Sequence, residues 1–271
     1  MMKVKALVLT GFGLNCDNET AHALTLAGAE ADKVHINDLV NKNVLVKDYK
    51  ILAFGGGFSW GDEHGAGVLQ AIRMKTHFGE DLQKFVEQDN LIIGICNGFQ
   101  TLVNIGLLPG FDTKSMERKV ALINNDHGNF IDDWIYLNAE KGSNCVFTKG
   151  LETFELPIRH GQGKLYTDDE TLKKIEENNQ AVLRYSSKEG KKAENKFPEN
   201  PNGSLNDIAG LCDSTGRVFG LMPHPEAFVH WTHHPQWTVM KQKMKKNNQD
   251  LFDSGIPDGL KIFINAVDYF S

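Results

Sequence analysis

What the sequence lacks narrows it first. No apolar run in its 271 residues approaches the roughly 20 residues that a membrane helix needs. The first apolar run, Val4 to Leu9, is short. It ends at Thr10-Gly11 with no small-residue cleavage pattern, so it reads as a buried strand and not as a signal peptide. Basic residues are not in excess: 29 Lys and Arg stand against 35 Asp and Glu, a formal charge of −6. Such a surface gives no electrostatic reason to bind nucleic acid or an anionic membrane. The four cysteines (Cys16, Cys96, Cys145, Cys212) lie far apart, with no Cys-x-x-Cys. That argues against a disulfide or zinc framework and for a reducing, cytoplasmic setting. There is no internal repeat and no low-complexity tract. Hydrophobic residues at 41% and charged residues at 24% are ordinary for a globular chain able to bury a core.

The first hundred residues alternate strand and helix. Strands are expected at Val4 to Leu9, near Lys33 to Ile36, at Ile51 to Phe54 and at Leu91 to Ile95. Helices are expected from an Asp17 cap to about Ala29, from Gly67 to Gln88 with a possible break at Gly79, and from Asn97 to Ile105. Alternation of this kind implies a parallel sheet covered on both faces. The second half is richer in short strand-like runs: Ala121 to Asn124, Trp134 to Leu137, Pro157 to His160, Ala181 to Tyr185, Ile208 to Cys212 and Val218 to Met222. Some extend the sheet and some form an antiparallel edge. Ser186 to Ser204 is polar, Lys-rich and broken by Pro198 and Pro201, so it reads as an exposed excursion. Pro257 to Phe270 reads as a terminal helix with Leu260, Phe263, Ile264 and Val267 on its apolar face.

In an open parallel sheet, reactive groups sit beyond the carboxyl ends of strands. Cys96 falls there, in Gly94-Ile95-Cys96-Asn97-Gly98. Gly-x-Cys-x-Gly has the logic of a nucleophile elbow: a buried strand ends, one residue turns sharply, and a helix begins. The sulfur then stands at a helix N-terminus, which favours a thiolate. The amide of Asn97 points toward any oxyanion formed on an attacked carbonyl. A buried, inert cysteine is the plain alternative, but an ordinary core strand gains nothing from the flanking glycines.

A cysteine nucleophile needs a base, and the base needs an orienting group. Met222-Pro223-His224-Pro225-Glu226 supplies both: His224 can take the thiol proton, and Glu226 can reach the far ring nitrogen. By itself this segment could equally be a proline-rich surface turn. The run Gly55-Gly56-Gly57 follows the strand ending at Phe54. It lacks the endings of a nucleotide-binding loop. Beside the elbow, its bare backbone lets a substrate lie close and offers a second N–H to an oxyanion.

These residues together carry a resemblance. Gly94-Ile95-Cys96-Asn97-Gly98-Phe99-Gln100, joined to a distant His224-Pro225-Glu226, resembles the class I glutamine amidotransferases. The match looks closest to the glutaminase subunits of phosphoribosylformylglycinamidine synthases. Asn15-Cys16-Asp17, Gly56-Gly57-Phe58-Ser59-Trp60-Gly61-Asp62, Gly106-Leu107-Leu108-Pro109-Gly110, Arg159-His160-Gly161-Gln162-Gly163, Asn200-Pro201-Asn202-Gly203-Ser204 and Gly220-Leu221-Met222 look like those subunits too. The motifs run from about residue 3 to 231 and leave 232–271 as an unassigned C-terminal extension of a single domain.

The resemblance implies a flavodoxin-like three-layer α/β sandwich, with a mostly parallel central sheet and a small antiparallel extension. It implies that L-glutamine is hydrolysed to glutamate and ammonia through a Cys96 thioester. The ammonia would pass to an ATP-dependent synthetase subunit, with a small accessory subunit also in the complex. No cofactor is then expected in this chain; ATP and Mg²⁺ belong to the synthetase. By the same resemblance Gln100 contacts the glutamine, Gly56 and Gly57 supply the second oxyanion donor, and His160 and Gly161 lie at the glutamine pocket. Three departures stand out: Trp60 where the family often has Tyr, Glu63-His64-Gly65 where it shows an aromatic-Leu-Arg type of run, and Ala227 where it often has Arg. A stand-alone cysteine hydrolase of the same fold is the alternative reading. His230, His233 and His234 cluster locally but have no acidic or cysteine ligand at suitable spacing, so no metal site is expected. His127 reads as a turn residue, Lys241 to Lys246 as a solvated face, and Cys16, Cys145 and Cys212 as inert small residues.

Overall fold

The computed structural model describes residues 3–112 and 115–271. The first half runs β1 (Lys5–Thr10), α1 (Asp17–Leu26), β2 (Glu30–His35), α2 (Ile36–Val40), β3 (Ile51–Phe54), α3 (Val68–Glu87), β4 (Leu91–Ile95) and α4 (Asn97–Ile105). The second half runs β5 (Ala121–Asn124), β6 (Ile131–Ala139), β7 (Thr153–His160), β8 (Gln162–Tyr166), α5 (Asp169–Glu177), β9 (Ala181–Ser186), β10 (Ile208–Cys212), β11 (Val218–Leu221), α6 (Trp237–Lys246) and α7 (Asp258–Asp268).

Among the described residues, nine strands form one sheet in the order β2-β1-β3-β4-β11-β10-β9-β6-β7. The pairs from β2 through β11 are parallel, and those from β11 through β7 are antiparallel. The α/β sandwich expected from the sequence is therefore present, and its antiparallel extension adds four strands. Every residue of β3, β4 and β11 is buried. Such strands need cover on both faces. Helices α2, α3 and α4 pack as one group, and α1 packs with α7. Strands β5 and β8 form a separate antiparallel ribbon beside α4.

Several local expectations shift for identifiable reasons. Asp17 is the first residue of α1 and Cys16 occupies the cap position; Asp17 and Glu19 instead place negative charge in the first turn. Strand β2 starts earlier than expected because it is the sheet edge, where Glu30, Asp32 and Lys33 meet solvent and hide the apolar signal. Helix α3 runs unbroken through Gly79, which sits where an added Cβ meets nothing within 4 Å. Helix α7 buries Ile262, Phe263, Ala266 and Val267, with Leu260 and Ile264 only partly covered.

The excursion after β9 is exposed over most of 188–199, but its last residues turn inward. Asn200, Asn202 and Ser204 are buried. The Asn200 amide donates to Ser204 O and Asp207 Oδ1, both at 2.9 Å, and the Asn202 amide donates to Tyr185 Oη at 3.1 Å. Polar composition signalled exposure, whereas these side chains are buried because their hydrogen bonds are satisfied.

Helix α7 at the end of the C-terminal stretch is part of the same core, whereas α6 buries no residue. Helix α7 lies against α1 and against the 3-10 turn Pro225–Ala227 that follows His224. Gly259 makes this approach possible: a Cβ there would sit 3.0 Å from Pro225 C and collide with the carbonyl oxygens of Pro225 and Phe228.

Two substitutions test these assignments. Gly79→Ala should stabilise the protein by about 0.5–1 kcal/mol, read as a higher denaturation midpoint, because Ala favours the helix and the site has room. Gly259→Val should cost about 1–3 kcal/mol from overpacking. It should also shift the NMR signals of the His224 ring in folded protein, because α7 braces the turn that carries His224 and Glu226.

Candidate active site

Strands β4 and β11 are parallel neighbours in register, Ile95 beside Leu221, so the residues after both strands emerge at the same edge of the sheet. Cys96 follows β4 and donates its N–H to Leu221 O at 2.8 Å. Its backbone has φ 50° and ψ −105°, a conformation unusual for a residue with a side chain. This is the sharp turn expected of the elbow. Gly98 makes it possible, because a Cβ there would strike the Phe54 carbonyl group of β3. The Cys96 sulfur lies 3.7 Å from Arg159 O. The N–H of Asn97, in the first turn of α4, has no acceptor within the helix.

His224 follows β11 and donates its N–H to Pro157 O of β7 at 2.8 Å. Strand β7, the far edge of the sheet, thus meets both Cys96 and His224. The antiparallel half curls back over the ends of the parallel half. His224 Nδ1 and Glu226 Oε1 are 2.6 Å apart, with side chains only 3% and 1% exposed. Pro225 opens the 3-10 turn and sets the carboxylate two residues on against the ring. Burial is the largest single influence and disfavours a charged imidazole, but the Glu226 carboxylate, Cys96 and the contact with Cys16 together outweigh it. His224 therefore holds its proton well above the ordinary histidine range. Oε2 of Glu226 is buried without a hydrogen-bond partner among the described residues, and the His224 ring also interacts with the Cys16 and Cys96 thiols.

The glycine run lies against this pair. The Gly56 carbonyl accepts from Asn15 N–H and Cys16 N–H, both at 3.3 Å. A planar trans peptide then points the Gly57 N–H the opposite way, away from the 13–16 loop. Gly57 has φ 145°, which favours glycine. A Cβ on Gly56 would lie 2.7 Å from His224 Cε1, so no larger residue fits.

The remaining expected residues form the adjoining wall. Gln100 Nε2 donates to Gln162 O at 2.8 Å, and its Oε1 accepts from Asn97 Nδ2 at 3.4 Å. His160 is buried, with Nδ1 at 3.2 Å from Asn125 Oδ1. Burial, then the charges of His224 and His127, push its pKa down to about 3, so its ring is neutral. Gly161 accepts from Asn125 N–H through its carbonyl at 3.0 Å and is not sterically restricted to glycine.

Four neighbours were not marked by sequence reasoning as parts of the site. Asn125 holds His160 through its side chain and donates to His160 O at 2.9 Å; its place in a turn-like Asn-Asp-His-Gly concealed this. Asp62 accepts from Asn97 Nδ2 at 3.0 Å, and burial raises its pKa against that bond. Gln162 accepts from Ala66 N–H at 3.3 Å through Oε1. Cys16, expected as an inert small residue, lies beside the His224–Glu226 pair, where burial raises its thiol pKa. Its membership in Asn15-Cys16-Asp17 was the available signal. Among the departures, Trp60 stacks on Phe12 at 4.5 Å, while Glu63 and His64 are exposed beside the site. Of the three clustered histidines, His234 is buried between Trp134 and Phe228 with Nε2 3.2 Å from Glu155, whereas His230 is exposed.

A family profile described as the CobB/CobQ-like glutamine amidotransferase domain matches residues 3–270, through the C-terminal helix. A protein of Methanococcus maripaludis named phosphoribosylformylglycinamidine synthase subunit PurQ is 45% identical, with 100% of both chains covered. One of the same name from Dehalococcoides mccartyi is 44% identical over 98% of both. Among solved structures, a chain of PurLQS from Thermotoga maritima aligns over 100% of both chains with a TM-score of 0.72 and 30% identity. A glutamine amidotransferase from the same organism shares the fold, at 14% identity and a TM-score of 0.52. By profile and by full-length identity alike, the chain belongs to the CobB/CobQ-like glutamine amidotransferase family, alongside the PurQ subunits.

Proposed function

We propose that the chain is the glutaminase subunit of a phosphoribosylformylglycinamidine synthase, and that it releases ammonia from L-glutamine for an ATP-dependent synthetase subunit. The observation that carries the chemistry is the buried His224–Glu226 pair, 2.6 Å apart, standing beside a cysteine on a strained strand-to-helix turn. Full-length similarity to proteins named PurQ supports the pathway, and the likeness to PurLQS supports a synthetase partner and a small accessory subunit.

In this reading the Cys96 thiolate attacks the side-chain amide carbon of glutamine. The N–H groups of Asn97 and Gly57 face the oxyanion; one such donor is typically worth about 10²–10³ in rate. The C–N bond breaks as His224 gives its proton to the departing nitrogen, which leaves as ammonia. A thioester remains on Cys96. Water then attacks it and yields a proton to neutral His224. The C–S bond breaks, and glutamate leaves as the thiolate and imidazolium are restored. Glu226 fixes the ring's tautomer and stabilises its charge. Gln100, His160 and Gly161 line the glutamine pocket, with His160 kept neutral so that it adds no positive charge beside His224.

The chain holds no cofactor in this scheme; ATP and Mg²⁺ act on the synthetase subunit. Among the described residues no helix is long and apolar enough to cross a membrane. A cytoplasmic setting suits four free cysteines and a purine-pathway role.

Cys96→Ala should lower glutamine-dependent amidination by the assembled complex by at least about 10³-fold while ammonia still drives the synthetase. Loss of the ammonia-dependent reaction as well would overturn the division of labour. Robust glutamine turnover by the isolated chain, unchanged by the synthetase, would favour the stand-alone hydrolase instead.

Glu226→Gln should cost about 10²–10⁴ in kcat. It should also move imidazole titration, followed by NMR, to lower pH, because burial is then opposed only by the weaker influences of Cys96 and Cys16. The sign for stability follows. With its native pKa raised above an unfolded value of about 6.5, His224 contributes stability that is full below that pH. This contribution fades as pH rises through the raised native value. Chemical denaturation at stepped pH should show that decline in the native protein and not in Glu226→Gln.

A further inference from the structure

Cys96, His224 and Glu226 handle the side-chain amide of glutamine and leave its α-ammonium without a counter-charge. Asp62 borders the same pocket. Its Oδ1 accepts from Asn97 Nδ2 at 3.0 Å, and Asn97 is the residue after Cys96. The same Nδ2 donates to Gln100 Oε1 at 3.4 Å, which ties Asp62 to the wall expected to contact glutamine. In extended glutamine the attacked carbon and the α-nitrogen are four single bonds and roughly 5 Å apart. A carboxylate bonded to the residue next to the nucleophile suits that reach.

Two features set Asp62 apart from an ordinary surface carboxylate. It is half-buried, yet no Lys, Arg or His among the described residues forms an ion pair with it. A carboxylate taken from water without a cation is costly. Its backbone is costly too. Trp60, Gly61 and Asp62, with φ of 52°, 67° and 55°, are three consecutive residues in the left-handed region. The loop is pinned there: Trp60 N–H donates to Phe12 O at 2.7 Å, Gly61 N–H to Phe58 O at 2.8 Å and Gly65 N–H to Asp62 O at 2.9 Å. Strain of this kind persists where the surroundings over-determine it, and here it turns the carboxylate onto Asn97.

A second acceptor is left open beside it. Asn97 is 0% exposed, and its amide must turn Nδ2 toward Asp62, because a carboxylate only accepts. Oδ1 of Asn97 is thereby fixed as an acceptor, and it has no donor among the described residues. Buried acceptors without donors are rare and call for one. An unpaired carboxylate and an unpaired amide oxygen on adjoining side chains together suit a ligand group that brings positive charge and several N–H donors. A primary ammonium has three.

We propose that Asp62 binds the α-ammonium of L-glutamine, with Asn97 Oδ1 as the neighbouring acceptor, and that this contact selects glutamine over amides that lack an α-amino group. The inference rests on the glutaminase reading and names how that site holds the charged end of its substrate. The competing role is purely positional, with Asp62 holding Asn97 and the turn but not the substrate.

The test uses the complex of the full-length chain with the synthetase and compares L-glutamine with glutaramate, the same molecule without the α-ammonium. The native complex should favour L-glutamine in kcat/KM by at least about tenfold, the value of one charge-assisted hydrogen bond. In Asp62→Asn, whose side-chain oxygen can still accept from Asn97, that preference should fall by at least about tenfold. The loss should appear in KM for L-glutamine more than in kcat. Equal losses for both amides would mean that Asp62 only holds the turn, and would overturn the proposal. Should Asp62→Asn fail to fold, the native complex decides: glutaramate turned over as efficiently as L-glutamine would overturn it. A complex that turns over neither amide would count against the glutaminase reading, and calorimetry then tests Asp62 separately. L-Glutamine bound at least tenfold more tightly than glutaramate by the native complex, and not by Asp62→Asn, would leave the Asp62 contact standing; equal binding of the two by the native complex would overturn it.

Discussion

Strands β4 and β11 pair in parallel although more than a hundred residues separate them along the chain. Parallel neighbours end at the same edge of a sheet, so this pairing delivers Cys96 and His224 to one place. The Cys96 N–H on Leu221 O locks the turn to the neighbouring strand at the point where the backbone takes its strained conformation. Loss of register by one residue would turn every side chain of β11 to the opposite face and carry His224 away. The rest of the site elaborates this junction. The curled antiparallel half brings Pro157, Arg159 and His160 over it, and the glycine loop after β3 closes the other side.

The electrostatics follow from burial. A histidine and a glutamate, both almost wholly removed from water, are tolerable only as a pair. Their pairing keeps the imidazole charged, whereas His160, buried beside them without a carboxylate, is held neutral. Two histidines in one pocket are thus driven in opposite directions by what each one touches. The C-terminal helix belongs to the same mechanical unit, because its approach at Gly259 supports the turn on which Glu226 stands.

Much of this was legible in the order of residues. The central strands β3 and β4 and the helix α4 fall where unbroken apolar runs and flanking glycines place them, because fully buried elements have little polar sequence to blur them. Edge and surface elements were harder to read. Strand β8 and helix α5 are mostly polar, with Ile175 the one buried residue of α5, and α2 is only five residues long, so none of them presents an apolar run that stands out. The Asn200 to Ser204 segment misled for the opposite reason: its polar side chains are buried because they bond to one another and to Tyr185.

At the site, the sequence by itself determined the reacting groups. The glycine-flanked cysteine specifies a turn at a helix start, and His-Pro-Glu specifies a base with its orienter two residues away. Both depend on local backbone geometry, which neighbouring residues set. The tertiary structure alone decided that these two segments meet, that Asn125 and Asp62 support the pocket, and that Cys16 lies against the catalytic pair. Those contacts depend on strand order and on the curl of the sheet. Such long-range pairings are set by the packing of the whole core, and no local spacing records them.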